Sequence, residues 1–367
     1  MTIEDLALYF TKGIGSRGAA HLIEYFSSAE RLYHASREEL SEGAGLRGEL
    51  AERIIAKEGY REAEREIEYC RKNNIYIISA TDDDYPVPLR ETADRPHILF
   101  VQGEVEALHK QCVAMVGTRE VSPSGIHISN LLVESLAKEV DDLCIVSGLA
   151  YGTDSACHRA ALANNVCTVA VTPSTLPNIV PTPHEALARE IIKAGGAIVS
   201  ELSSQSRNNG AHFISRNRII AGMSLGTIIV ESPATGGSLS TADIADSYGR
   251  TVMAIPGRLT DANSFGTNNL IRSGKARLVL TADDIIEDVG LRRKSISEET
   301  AEDNTHKAEL SDHEQRVIDA FRGQGILDWS ELLESTQLTM GELSMVIMDL
   351  EFKGLVRALP GKRYEAI

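Results

Sequence analysis

Between residues 208 and 224 runs NNGAHFISRNRIIAGMS, which places His212, Phe213, Arg216, Asn217 and Arg218 within seven positions. Arginines neutralise phosphates, an amide reads a base edge, and an aromatic ring stacks a base for roughly 1–3 kcal/mol. The bland alternative puts Phe213 in a core and the arginines on a solvated helix face, which is the commoner fate of an isolated pair. The balance shifts because several apolar runs end in glycine-bearing polar turns: Gly117-Thr118-Arg119, Ser147-Gly148, the stretch from Glu231 to Gly236-Gly237-Ser238, and Pro256-Gly257. Glycine at such turns lets backbone N–H groups and helix N-termini approach an anion. With Lys275 from the same basic region, these residues form a candidate phosphate-binding set.

The charge distribution points to the same place. The chain carries a net charge of −16, which excludes indiscriminate coating of nucleic acid, because phosphate binding needs local positive potential. From Arg207 to Leu280, however, eight bases stand against four acids. Catalysis has less support. Asp154 and His158 lie four apart at the start of a helical segment, but the acid reads best as an N-cap or first-turn residue complementing the helix dipole. HExxH and GxxxxGK[ST] are missing, and no clear GxGxxG follows the first strand of the alternating segment. No enzyme activity, cofactor or metal is therefore expected. The five cysteines, Cys70, Cys112, Cys144, Cys157 and Cys167, show no CxxC spacing and read as buried free thiols.

The elements that must hold these turns are legible from Cys112 onward. CVAMVGT, LCIVSGL, TVAVTP, AIVSEL, TIIVES, TVMAIPG and RLVLT are short, nearly continuous apolar runs separated by helix-like segments. That rhythm predicts a doubly wound, mostly parallel, extended Rossmann-like α/β sheet covered on both faces. The expected boundaries are a helical domain over 1–80, the Rossmann-like domain over 81–288, a polar linker over 289–309 and a winged helix over 310–367. In the helical domain Gly13-Ile14-Gly15 recurs as Gly43-Ala44-Gly45, each followed by Arg-Gly, which predicts two helix-hairpin-helix (SAM-like) units. Residues 1–80 hold eleven bases and fourteen acids, so packing is the favoured role of these hairpins. The winged helix reads as helices around Glu314 to Phe321, Ser330 to Ser335 and Thr339 to Lys353, then two strands flanking Pro360-Gly361. The stretch from Thr339 to Glu351 has Glu342, Asp349 and Glu351 but no base, so a protein contact suits it better than a major groove. The start MTIEDLALYF carries acids where a secretory signal carries bases, and no apolar run is long enough to span a bilayer, so a cytoplasmic location is expected.

In order and spacing, VGTR, SGLAYGTDSACHRAAL, HFISRNRIIAGMS, GGSLSTADIADSYGRTVMAIPG and NNLIRSGKARLV resemble the DNA-processing protein A (DprA/Smf) family, from about Pro86 to Asp288. The resemblance implies single-stranded DNA binding, homodimerisation and loading of the RecA recombinase in natural transformation. Carried onto this chain, it implies a pocket using Arg119, Ser147-Gly148, Phe213, Arg216, Asn217 and Arg218. The family often has a proline and a base after the phenylalanine, where Ile214 and Ser215 stand here. Two other readings remain. One is a related phosphoribohydrolase-like nucleotide enzyme, whose GGxGTxxE loop is broken here by Leu239 and Asp243. The other is a winged-helix transcriptional regulator.

Overall fold

Gln111–Val116 and Leu143–Ser147 are buried at every position, as strands must be when helices cover both faces of a sheet. In the computed structural model, which describes residues 1–207, 209–294, 311–321, 326–352, 355–359 and 363–366, these strands sit in the middle of a nine-stranded sheet. In chain order the strands are β1 (Tyr76–Ser79), β2 (Ile98–Gly103), β3 (Gln111–Val116), β4 (Leu143–Ser147) and β5 (Cys167–Val171). There follow β6 (Ala197–Ser200), β7 (Gly226–Ile229), β8 (Thr251–Ala254) and β9 (Arg277–Leu278). They are arranged β1-β2-β6-β5-β4-β3-β7-β8-β9. From β6 to β9 all neighbours are parallel, while β1 and β2 join as an antiparallel edge.

All seven runs read from the sequence are strands. The antiparallel pair is the addition, and β1 lies ahead of residue 81, where the sequence placed the start of the sheet domain. Alternate side chains leave opposite faces of each strand. Val169 and Val171 pack with Ala114 and Val146, whereas Ala170 packs with Phe100, Ile198 and the apolar faces of the N-terminal helices, including Leu6, Leu22 and Leu32. Met1–Lys294 accordingly forms one compact unit. Polar ties reinforce the apolar seam: Tyr9 donates to the Glu201 carbonyl at 3.0 Å, and the buried Glu66 carboxylate accepts from Ser204 N at 2.7 Å and Oγ at 2.6 Å.

At the N-terminus, Thr2 and Asp5 form a capping box on the helix Ile3–Phe10, and Gly13, at φ +89°, turns the chain into the helix Ser16–Phe26. The second repeat is less regular. Gly43 closes a five-residue π-turn, Glu39–Gly43, rather than a full helix, before the helix Gly48–Ile55. Cys70, Cys112, Cys144 and Cys157 are buried thiols, and Cys167 is partly exposed.

The second unit, Ser295–Ile367, contains the helices Asp312–Ala320, Trp329–Thr336 and Met340–Phe352. Its three-stranded sheet is ordered β10-β12-β11, with β10 (Ile326–Asp328), β11 (Val356–Leu359) and β12 (Arg363–Ala366), which is a winged-helix arrangement. β10 adds a strand to the two read from the sequence. Residues 295–309 of the expected linker and the Pro360-Gly361 turn lie outside the described residues. Among the described residues no helix is long and apolar enough to cross a membrane.

Candidate nucleic-acid interface

The chain runs from β3 outward through β4 and β5 to β6, then returns to place β7 on the other side of β3. In an open parallel sheet this reversal separates the loops leaving neighbouring strands and opens a crevice at their carboxyl ends. Such a crevice is present, about 600 Å³ in volume, between the turn after β3 and the segment after β7.

The turn after β3 is clamped on both sides. Thr118 N donates to the Glu231 carbonyl at 2.8 Å, while Thr153 N and Oγ1 donate to the Thr118 carbonyl at 3.0 and 3.1 Å. The Glu231 carboxylate accepts from Ser122 N at 2.9 Å and Oγ at 2.5 Å. Gly117 has no room for a side chain, since a Cβ there would lie 2.5 Å from Thr153 Oγ1. Gly152 needs its positive φ of 75° and sits against the Arg119 and Thr118 carbonyls. This rigid turn presents Arg119 to solvent, with its guanidinium 5.5 Å from the centroid of the Phe213 ring, a cation–π distance. Arg119 makes no ion pair among the described residues.

Facing it is the helix Gly237–Ser247. Its N-cap is Gly236, with no side-chain cap bond; Leu239 N donates back to the Gly236 carbonyl at 3.2 Å, so the Gly237 and Ser238 N–H groups are the ones left for a ligand. Open space surrounds the Gly237 Cβ position. Ser238 donates to Ser232 Oγ at 3.0 Å, and Asn217 reaches the Gly237 carbonyl from Nδ2 at 3.4 Å. Thr241, one turn further on, and Asn263, beyond the carboxyl end of β8, also line the cleft. Sequence reading passed over both, although helical spacing from Gly237 marks the first and the switch-point rule marks the second.

The floor is a buried polar cluster. Arg216 is 5% exposed, its Nη1 donates to the Gly148 carbonyl at 2.5 Å and the Val171 carbonyl at 2.6 Å, and its Nε has no partner. Burial brings the guanidinium down to about 10, against the opposing pull of Asp154, so it remains charged at neutral pH. Burial raises the Asp154 carboxyl, an effect that Arg216 and the Ala150 N–H at 3.3 Å oppose. Asp154 is not an N-cap, a position Gly152 holds; it sits in the first turn and lines the cleft beside Arg216. Deeper still, burial together with Arg216 and His184 pushes His158 down to about 3. Thr168 Oγ1 donates to the Ile145 carbonyl at 2.7 Å, so it accepts from His158 Nδ1, also at 2.7 Å, and the bare Nε2 has no partner.

The structure thus brings together Gly117, Thr118, Arg119, Phe213, Arg216, Asn217, Gly236, Gly237 and Ser238. Four expected residues are placed elsewhere. Ser147 lies beneath the floor and donates to the Met115 carbonyl at 2.6 Å, tying β4 to β3. Gly148 serves as the surface on which Arg216 and Asp154 pack. Arg218 turns away to bond the Asp94 carbonyl at 2.5 Å and the Glu201 carboxylate. Lys275 is exposed and pairs with Asp243 at 3.0 Å.

Residues 74–290 match the model of the DNA recombination-mediator protein A family, and residues 301–362 match the DprA winged helix domain. The chain belongs to the DNA recombination-mediator protein A family. It is similar to Protein Smf of Escherichia coli K12, at 33% identity over 314 residues covering 82% of this chain and 83% of the relative. DNA processing protein DprA of Streptococcus pneumoniae R6 is 38% identical over 209 residues, covering 57% and 72% respectively. The X-ray structure of DNA processing protein A from Streptococcus pneumoniae superposes with a TM-score of 0.68 at 30% identity, covering 78% of this chain and 98% of that one. A Helicobacter pylori DNA processing protein A structure, described for its single-stranded DNA binding mode, matches at TM-score 0.52 and 28% identity, covering 58% and 94%. The resemblance read in VGTR, HFISRNRIIAGMS and GGSLSTAD is thereby confirmed as membership. Among the described residues no group of three or more histidines, cysteines and acids is placed to hold a metal.

Proposed function

We propose that the chain binds single-stranded DNA across the switch-point cleft, protects it, and as a homodimer helps load a RecA recombinase onto it in natural transformation. One observation carries this reading: an unpaired, solvent-facing Arg119 stands against the Phe213 ring, opposite a helix N-terminus that no side chain caps. Phosphates are neutralised by the first and bonded by the last, and the ring offers stacking to a base with a free face. A base inside a duplex has no such face, so an unpaired strand is the ligand that fits. Family membership and the Helicobacter pylori relative support the same ligand.

A dimer would present two such clefts to one strand, raising the effective concentration of the second binding event without any new interaction. The polar floor acts as a support, since His158 is fully buried and committed to Thr168 rather than facing the cleft. A cytoplasmic location fits this role. The winged-helix unit is assigned to a protein partner, because residues 310–367 hold six bases and ten acids. The test is competition binding with single-stranded DNA, duplex DNA and RNA over several salt concentrations. Preference for single-stranded DNA with a steep salt response supports the reading; preference for duplex, or a flat salt response, rejects it.

A further inference from the structure

The cleft does not stop at Phe213. Ile214 is 65% exposed and forms both an outer wall of the cleft and the rim of a second recess of about 480 Å³. Facing Ile214 across this recess are Arg17, Asp94, Arg218, Ser247 and Tyr248. Arg17 belongs to the helix Ser16–Phe26, just after the Gly13-Ile14-Gly15 turn, so the first helical hairpin forms one side of a space whose other sides come from the sheet domain.

The charges in this recess are unevenly committed. Arg218 is held by the Asp94 carbonyl and the Glu201 carboxylate, and Tyr248 donates to Asp94 Oδ1 at 2.5 Å, so both acids already have partners. Arg17 is exposed and makes no hydrogen bond or ion pair among the described residues. Its charge nevertheless reaches Tyr248. Burial and the Asp94 bond raise that phenol, and Arg218 and Arg17 oppose them. The recess therefore offers one uncommitted cation, an aromatic and an aliphatic wall, and the hydroxyl groups of Ser215 and Ser247. A nucleotide has the matching parts: a flat base for Tyr248 and Ile214, and a phosphate for Arg17.

We propose that this recess is a second nucleotide subsite, filled by the same strand that occupies the cleft after it passes over Ile214, with Arg17 of the helical hairpin binding its phosphate. It rests on the single-strand reading of the cleft. The hairpin region as a whole is acidic, so the interaction is local to Arg17 rather than a basic surface.

The experiment uses the full chain and two oligothymidylates, of about four and about sixteen nucleotides, which bracket common site sizes for single-strand binders. The variants are Arg17→Glu, Ser247→Glu, Arg119→Ala, and Arg71→Glu as a charge-matched control on the exposed end of the helix Tyr60–Lys72. Arg17→Glu and Ser247→Glu are expected to weaken the long oligonucleotide by about tenfold while leaving the short one unchanged, the scale of one nucleotide no longer held. Arg71→Glu is expected to match wild type, and Arg119→Ala to weaken both lengths. Wild-type affinity of Arg17→Glu for the long oligonucleotide, alongside a weakened Arg119→Ala, overturns the subsite and leaves the cleft standing. Equal weakening on both lengths, or weakening with Arg71→Glu as well, also overturns it, because the effect is then general charge. If the wild-type chain binds neither oligonucleotide, the cleft reading falls and the subsite with it.

Discussion

Arg119 and Arg216 belong to the same cleft yet occupy opposite electrostatic situations, and the contrast between its mouth and its floor explains how the site is built. At the mouth, Arg119 is solvent-exposed and unpaired, resting near a half-buried aromatic ring. At the floor, Arg216 is buried and directs its Nη1 donor to the carbonyls of Gly148 and Val171, at the carboxyl ends of β4 and β5. A charge that is to meet a ligand has to be left without an internal partner; a charge taken out of water has to be given one. Arg216 therefore acts as a strut. It fixes the start of the helix Asn217–Met223 against two strands, and with it the positions of Phe213 and Asn217.

The largest effect that could break this comparison belongs to the floor. Arg216→Ala leaves Asp154 buried without its cation and two carbonyls without a donor, so it is expected to cost about 3 kcal/mol or more of unfolding free energy. Arg119→Ala is expected to stay within about 0.5 kcal/mol of wild type. Urea denaturation of both variants checks the pair, and equal stability of the two would end the distinction.

His158 sharpens it through pH. Its folded value of about 3 lies below the ordinary value near 6.5, so below pH 6.5 the unfolded chain takes up a proton that the folded chain refuses. Stability should fall by about 1.4 kcal/mol per pH unit from this group as the pH drops toward 3, with no contribution above 6.5. Asp154, raised by burial, acts in the opposite direction at the acid end. His158→Asn keeps a donor for Thr168 and removes the titration, so the difference between variant and wild-type stability curves isolates the histidine. Parallel curves would show that His158 protonates freely in the fold.

Arg218→Ala tests the third arginine of the group. It is expected to lose about 1–2 kcal/mol of stability, because Glu201 is left largely buried and unpaired, and to lose less DNA affinity than Arg119→Ala. An affinity loss larger than that of Arg119→Ala would move the phosphate-binding role to Arg218. The smallest effect expected is from deleting residues 300–367, which should leave single-strand affinity unchanged in a fragment that retains its circular dichroism.

Much of this architecture was legible because parallel strands buried on both faces leave a strong sequence trace. Seven apolar runs became seven strands, and the glycine-bearing turns at Gly117 and Gly236 fell on the two sides of the switch point. YIIS and ILFVQG escaped because they precede the alternating pattern and pair antiparallel at the edge. The grouping of Phe213, Arg216, Asn217 and Arg218 located the right segment, but spacing alone could not separate their fates. Within two positions of one another, Arg216 points into the floor and Arg218 toward Glu201, because successive residues on a helix face different directions. Neither remained free, because Arg216 met the Gly148 and Val171 carbonyls and Arg218 met the Asp94 carbonyl and the Glu201 carboxylate, partners that spacing within the segment does not reveal.

The most direct test of the mouth-and-floor account is the salt dependence of oligothymidylate binding by wild type and Arg119→Ala, measured on protein whose unfolding midpoint is unchanged. The account predicts weaker binding by the variant and a slope of log affinity against log salt shallower by about 0.7, the signature of one fewer phosphate neutralised on a single strand. Identical affinities and identical slopes would contradict it, and would place the DNA-binding charge somewhere other than the switch-point cleft.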